Sequence, residues 1–255
     1  MKRYAELFRF PNVWVLVLSA FPARVAYGMV GLGIFFKVEQ ELNSVALAGL
    51  AVGVNAAAGA ATAGIRGTII DHYSMKWPLR IQVPGYALML IALNGATDKS
   101  SLLIFSLLLG LTAPPINLSV RPLWRDAVTD EWLRTAYAVD TAVMSAAGVI
   151  GPVIVTALAL SATPASALFT CAALMLIGGG SLALTKIARN WVPEAKPEVK
   201  VSMWRHRPLQ LLVVEGCFIG FGWGVFDVAV PAFATLEDVP HRTAWIFTAM
   251  GVANI

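Results

Sequence analysis

The longest uncharged stretch of this chain, residues 141–185, limits what kind of structure it can form. It contains 45 consecutive residues without Asp, Glu, Lys or Arg. As one continuous helix it would extend about 68 Å, whereas the hydrocarbon core of a bilayer is roughly 30 Å thick. The segment 161–166, Ser-Ala-Thr-Pro-Ala-Ser, is typical of a tight turn. The stretch therefore predicts two membrane-spanning helices, near residues 136–160 and 166–185.

Other apolar stretches have the same character, and the composition of the chain agrees with them. Charged residues make up 13% and apolar residues 58%, with a mean hydropathy of +0.71, whereas an ordinary soluble domain has roughly 25% charged residues. These values exclude a soluble domain and a disordered chain. Residues 243–255 are apolar but too short to cross, so we expect an all-α integral membrane protein with seven spans, cut off inside an eighth. The other five spans are predicted at residues 11–36, 42–65, 81–97, 100–120 and 208–236.

The distribution of Lys and Arg predicts the orientation of these spans. With a cytoplasmic N-terminus, 15 of the 19 basic residues fall on inner segments, while Lys37, Lys99 and Arg242 fall on outer loops. Cytoplasmic loops are enriched in Lys and Arg, so we predict a multi-pass protein of the cell membrane, and the net charge of +4 requires no nucleic-acid partner. Cys171 and Cys217 lie in apolar stretches, and we predict no disulfide framework, metal site or cofactor.

The longest polar stretch, residues 186–207, follows the sixth predicted span. Six helices, a cytoplasmic linker and then further helices is the plan of a transporter built from two halves. We therefore predict a six-helix bundle over residues 1–185, a linker over 186–207 and the start of a second bundle over 208–255.

One charged residue interrupts the first span. Arg24 cannot lose its proton, and a charge at the centre of a membrane helix costs about 2.5–3.5 kcal/mol on insertion scales. It must therefore face a carboxylate, water or an anionic substrate, with Asp140 and Glu215 as the candidate carboxylates. Tyr27 lies three residues later and shares its helix face. We expect both side chains to line a central cavity; the alternative is that Arg24 only forms a structural pair with Asp140 or Glu215.

Further polar residues within or beside the spans extend this candidate cavity. Glu215 and Asp227 lie 12 residues apart, on different faces of a helix, and are not interpreted as a pair. Glu215 is the better candidate for proton coupling because it is a carboxyl group in an apolar setting, nearer the cytoplasm, whereas Asp227 lies near the outer mouth. Asn55 and Asn117 are hydrogen-bonding candidates, although a single membrane Asn also joins helices to one another. Arg121 favours an anionic or polar substrate.

The segment between the second and third predicted spans carries the most specific motif. Residues 67–76 read Gly-Thr-Ile-Ile-Asp-His-Tyr-Ser-Met-Lys, and Gly67, Asp71 and Lys76 are in register with the signature loop of the major facilitator superfamily, which this segment resembles. The resemblance implies a contact that stabilises one state of an alternating-access cycle. An ordinary polar turn is the alternative interpretation. Three positions depart from the family pattern: His72 for arginine, Ser74 for glycine and Met75 for a basic residue.

The fifth predicted span contains a second motif, Gly148, Gly151 and Pro152. It resembles the glycine–proline element of the same superfamily, which is commonest in its exporters, and a simple packing kink is the alternative. Together with the proline pair at the end of the fourth span, the chain is similar to a poorly characterised bacterial branch of the superfamily. The resemblance implies a six-helix bundle followed by the beginning of a second one.

The resemblance also implies a function, which we state as an expectation. It is secondary transport of a small molecule by alternating access, with proton-coupled efflux as one form; the partners are the substrate, protons and the lipid bilayer. The sequence contains no phosphate-binding motif for ATP and no catalytic constellation, so no enzyme is predicted. The alternatives are a seven-helix receptor or light sensor, although residues 208–236 contain no lysine for retinal, and a truncated transporter fragment without activity.

Overall fold

The computed structural model describes residues 2–193 and 206–253, which form helices joined mostly by short turns. No strand occurs among the described residues, and the predicted all-α fold is confirmed. In chain order the helices are α1 (Lys2–Leu7), α2 (Pro11–Leu42), α3 (Val45–Tyr73), α4 (Lys76–Gly95), α5 (Lys99–Thr112), α6 (Ile116–Ala127), α7 (Asp130–Ser161), α8 (Pro164–Leu184), α9 (Lys186–Asn190), α10 (Arg207–Leu236) and α11 (Arg242–Ala253).

Six helical segments within the described ranges are long and apolar enough to cross a membrane. They are α2, α3, the combined α5–α6 segment, α7, α8 and α10. The predicted span at residues 81–97 corresponds to α4, which has 20 residues but is more polar and is not among the six. The helix α11 has 12 residues and corresponds to the predicted beginning of an eighth span.

The turn predicted within the longest uncharged stretch is present. The helix α7 ends at Ser161 and α8 begins at Pro164. The hydroxyl oxygen of Thr163 accepts a hydrogen bond of 3.2 Å from the backbone N–H of Ser166 and so caps the start of α8. The division of this stretch into two helices is therefore confirmed, with α7 beginning earlier than expected, at Asp130.

The fourth predicted span, residues 100–120, lies within the combined α5–α6 segment that is long and apolar enough to cross a membrane, but it is not one continuous helix. The helix α5 ends at Thr112 and α6 begins at Ile116. Two consecutive prolines, Pro114 and Pro115, lie between them. Proline has no backbone N–H to donate and disfavours the helical conformation of the residue before it. Two such residues in succession account for the interruption of the helix at residues 113–115, which we call the break.

The polar turn predicted at residues 67–76 is also shorter than expected. The helix α3 continues to Tyr73, so Gly67 and Asp71 lie within its last turns, and Lys76 is the first residue of α4. Ser74 has a φ of 66° and a ψ of 166°, a combination that is essentially restricted to glycine. This is the position at which the family pattern has glycine, so the backbone geometry of the turn explains that preference.

The bundle is organised around α2, which packs against α7 and α8 and also touches α3 and α6. The approach of α2 and α7 depends on two glycines. A Cβ atom at Gly151 would lie 2.8 Å from the backbone C of Gly28, so only glycine at this position lets the two backbones come so close. The fifth-span motif thus positions α7 directly against α2.

The last two described helices pack differently from the bundle. The first half of α10 is exposed along its length, whereas α11 packs against α7. Of the predicted linker, residues 186–193 and 206–207 are described and include α9, and residues 194–205 lie outside the described residues. The division into a bundle, a linker and the start of a second bundle stays a prediction.

Candidate functional site

A buried ion pair joins α2 to α7. The Nη2 atom of Arg24 lies 2.7 Å from Oδ1 of Asp140, and each side chain is only 3% exposed. A second ion pair joins Lys37 to Glu41 at 2.6 Å, one turn apart on α2. Arg24 therefore contacts a carboxylate, and of the two candidates from the sequence this is Asp140 rather than Glu215.

A third side chain completes this contact from the fourth span. The Nε atom of Arg24 donates a hydrogen bond of 3.2 Å to Oδ1 of Asn117. Asn117 is the second residue of α6, directly after the break. Arg24, Asn117 and Asp140, which we call the Arg24 cluster, thus link three spans through one guanidinium group.

Tyr27 lies one turn along α2 from Arg24 and contacts the break itself. Its hydroxyl group donates a hydrogen bond to the backbone carbonyl of Pro114. The ring of Tyr86, from α4, lies 6.2 Å from the Tyr27 ring between centroids. Tyr27 therefore connects the Arg24 cluster to the break and to α4.

A second arginine, which was not among the predicted site residues, also contacts the break. The Nη1 atom of Arg66, in α3, donates a hydrogen bond of 2.6 Å to the carbonyl of Ala113. Its Nη2 atom donates to the carbonyl of Gly59, within α3 itself. On charge distribution alone Arg66 counted only as a cytoplasmic residue. The signal that could have found it is the proline pair, because it interrupts the helix and takes the carbonyl of Ala113 out of the backbone hydrogen-bond ladder.

Other predicted cavity residues do not join the Arg24 cluster. Asn55 donates a hydrogen bond of 3.0 Å from Nδ2 to the carbonyl of Ser106 and thereby joins α3 to α5, which is the helix-joining alternative considered for it. Arg121 is exposed on α6, and Glu215 and Asp227 are exposed on α10.

The residues of the two family motifs lie apart from the Arg24 cluster. Asp71 is exposed near the end of α3, and the Nζ atom of Lys76 lies 5.4 Å from the centre of the Trp77 ring. In α7, Gly151 and Pro152 are buried while Gly148 is exposed, and a Cβ atom at Gly148 would meet no other atom. Of the glycines in the two motifs, Gly67, Gly148 and Gly151, it is Gly151 whose position allows the close contact between helices.

The arrangement can pair the positive charge of Arg24 inside the membrane or leave it unpaired. Within the Arg24 cluster one guanidinium balances one carboxylate, and Asn117 supplies a neutral acceptor. Separation of α2 from α7 would leave Arg24 without its negative partner. In the described ranges, no group of three or more His, Cys, Asp or Glu side chains could hold a metal ion.

Comparison with known proteins supports the resemblance found in the motifs. The family model of the Major Facilitator Superfamily matches residues 6–255, nearly the whole chain. A search of curated proteins finds no match. Members of this superfamily are secondary transporters rather than enzymes. Because this match covers nearly the whole chain and the helices are apolar enough to cross a membrane, the chain belongs to the major facilitator superfamily.

Proposed function

We propose that this protein carries a small molecule across the cell membrane by alternating access, with the Arg24 cluster at the centre of its transport pathway. The observation that carries the proposal is the ion pair between Arg24 and Asp140, both only 3% exposed, which joins α2 to α7. Ionisable groups within membrane spans are costly and mark substrate or ion pathways. The family membership supplies the general activity, and this pair supplies a candidate site for it.

A purely structural role explains the pair less well. A buried ion pair is weak evidence for stability, because well-packed apolar residues of similar volume often stabilise a protein as much or more. An apolar contact would also suit a membrane span better than two charges. The pair is useful, however, if its charges separate during the cycle, because Arg24 would then attract an anionic or polar group of the substrate.

Proton coupling follows as a finer part of the proposal. If Asp140 takes up a proton, the ion pair is lost and Arg24 keeps only the neutral oxygen of Asn117 as an acceptor. Substrate and proton binding would then be linked through one guanidinium group. Glu215 on α10 is the second candidate carboxylate. Efflux is the direction we propose, on the strength of the glycine–proline element at Gly151 and Pro152.

The transport proposal is tested with the whole chain reconstituted in lipid vesicles. A panel of labelled solutes, anionic, neutral and cationic, is screened for movement under an imposed pH gradient. We expect Arg24→Ala to abolish movement of the transported solute and Arg24→Lys to retain part of it if a point charge suffices. Arg134→Gln, an exposed position on α7, is the matched control. Transport by Arg24→Ala at the wild-type rate would contradict the proposed site, and movement of none of the solutes would contradict the transport function.

The two carboxylates separate the coupling alternatives in the same vesicles. We expect Asp140→Asn to transport without dependence on the pH gradient, because the exchangeable negative charge beside Arg24 is gone. Glu215→Gln should retain that dependence if Asp140 is the coupling group. Dependence that survives in both variants would exclude proton coupling at either residue.

We also propose that the N-terminus and residues 186–207 lie in the cytoplasm, from the distribution of Lys and Arg. Single cysteines in residues 97–101 and 161–166 should react with an impermeant thiol reagent added outside intact cells. Cysteines in residues 186–207 should not react. The background is Cys217→Ser, because Cys217 is exposed. Labelling of residues 186–207 from outside would overturn this orientation.

The motif at the end of α3 is proposed to stabilise one of the alternating states. Asp71 is exposed and its carboxylate is free to contact the second half of a transporter. We expect Asp71→Asn to fold normally and to lower the transport rate. Asp126→Asn, an exposed carboxylate at the end of α6, is the control. Equal transport rates for wild type and Asp71→Asn would contradict this role and leave the motif as an ordinary turn.

A further inference from the structure

The break leaves backbone carbonyls inside a membrane span without their usual partners. A helix forms its hydrogen bonds from N–H groups to carbonyls four residues earlier, so Pro114 and Pro115, which have no N–H, leave residues 110 and 111 without their usual donors, and the break takes Ala113 out of both helices. An unpaired carbonyl in the hydrocarbon region is costly, so interrupted backbone persists only where other groups satisfy it. Within the break, the carbonyl of Ala113 accepts a hydrogen bond from Arg66, and that of Pro114 accepts one from the backbone N–H of Ile116 at 2.9 Å and another from Tyr27.

The contacts on α2 fix the register of the interrupted span. Tyr27 bonds residue 114 and Arg24 bonds residue 117, so two positions three residues apart on α2 meet two positions three residues apart on the fourth span, in the opposite direction. A rotation of α6 about the break would therefore change the distance between Asn117 and Arg24. The geometry of the break and that of the Arg24 cluster depend on each other.

Arg66 is suited to hold the break from the side of α3. Its guanidinium bridges two carbonyls, one on α3 at Gly59 and one at Ala113, a use of the planar fork that a lysine ammonium cannot reproduce. Its positive charge also faces the C-terminal end of α5, where a helix carries partial negative charge. The two helices touch here, because a Cβ atom at Gly110 would lie 2.7 Å from Cβ of Ala58.

We propose that Arg66 is a positioning residue that holds the break between α5 and α6 and thereby sets the place of Asn117 in the Arg24 cluster. Release of the contact between Arg66 and Ala113 frees α6 to turn about residues 113–115. The consequence for transport rests on the proposed function, whereas the consequence for the α5–α6 geometry does not.

The experiment measures the α5–α6 geometry directly, without a substrate. Spin labels are attached at Leu107→Cys on α5 and Asp126→Cys on α6, both exposed positions, in the Cys217→Ser background. Distances between the labels are measured by pulsed electron paramagnetic resonance in the whole chain in lipid nanodiscs. In the otherwise unchanged protein we expect one narrow distribution.

Substitutions at Arg66 and Tyr27 then test whether these side chains position α6 relative to α5. Arg66→Met should broaden the distance distribution and shift its mean, and Arg66→Lys should have a smaller effect because its ammonium group can still donate to a carbonyl. Tyr27→Phe, which removes only the side-chain donor to Pro114, should also broaden the distribution. Arg134→Met, at an exposed position on α7, is the matched control and should change nothing.

Each outcome bears on the inference. A distance distribution of Arg66→Met that matches the wild type would overturn the positioning role. If Arg66→Met does not fold, matching distributions of Arg66→Lys and Tyr27→Phe would overturn it instead. If the distances change as expected, the transport assay is repeated: Arg66→Lys should lower the maximal rate more than the apparent affinity, because Arg66 does not touch the substrate. If the distances change and wild-type vesicles move no solute, the positioning role stands and the transport function fails.

Discussion

Replacement of Asp140 by asparagine tests how much the ion pair with Arg24 contributes to the free energy of unfolding. The variant keeps the shape of the side chain but leaves a permanent guanidinium charge in a site that is only 3% exposed. Removal of one partner of a buried ion pair typically costs about 3–5 kcal/mol. The amide oxygen of the new side chain and Oδ1 of Asn117 still accept hydrogen bonds from Arg24. We therefore expect a loss near the lower end, about 3 kcal/mol.

The pairwise nature of the effect is tested with a double variant. Arg24→Met combined with Asp140→Leu removes both charges and restores apolar packing, which is neutral or stabilising in other buried pairs. We expect the double variant to regain most of the stability that each single variant loses. Such recovery is evidence that the two charges act on each other rather than on separate neighbours.

Stability is measured as the free energy of unfolding of the purified protein in mild detergent, by titration with a denaturing detergent and circular dichroism. Lys37→Gln provides a matched control, because Lys37 forms a second ion pair, with the more exposed Glu41. Removal of the Lys37 charge leaves Glu41, whose side chain is 26% exposed and can be hydrated, so we expect a smaller loss than in Asp140→Asn. A loss in Asp140→Asn no larger than that of the control would refute the reasoning, as would a double variant that loses the sum of both single effects.

Three further predictions use the same stability measurement. Gly151→Ala should destabilise the bundle by about 1–3 kcal/mol because the added methyl forces α2 and α7 apart, whereas Gly148→Ala should be neutral or stabilising, since no atom opposes it. Ser74→Gly should retain full stability, because relief of about 1–3 kcal/mol of backbone strain offsets the loss of the 3.0 Å hydrogen bond that the Ser74 hydroxyl donates to the carbonyl of Trp191, whereas Ser74→Val should lower the stability. The hydrogen bonds from Ser101 hold the pKa of Asp98 below its usual value. The stability advantage over Asp98→Ala should therefore be present at neutral pH and disappear as the pH falls through that lowered pKa; an advantage unchanged at acidic pH would contradict this.

The sequence alone determined the class of the protein and most of its helices. Uncharged stretches such as residues 141–185 form helices in a membrane, because a bilayer leaves no water to satisfy backbone groups outside a helix. The turn at residues 161–166 and the register of Gly67, Asp71 and Lys76 were available from residue spacing. The need of Arg24 for a polar partner followed from its permanent charge.

Local backbone chemistry also accounts for what was missed in the fourth span. The break follows from Pro114 and Pro115, which were visible in the sequence, but the prediction of a span at residues 100–120 relied on apolar length alone. Apolar length measures the preference for the membrane and carries no information about an interrupted hydrogen-bond ladder. The continuation of α3 to Tyr73 was missed for a similar reason, since polar residues end an apolar stretch without ending a helix.

Only the tertiary structure decided which groups meet. Arg24 pairs with Asp140, 116 residues away, and not with Glu215, because α2 and α7 approach closely where Gly28 faces Gly151. Arg66 changes from one basic residue among many to the donor at Ala113 because α3 lies against α5. Helical periodicity specifies the depth and the face of a residue on its own helix. Which helix that face meets depends on the packing of whole helices, and this is a property of the bundle rather than of any one segment.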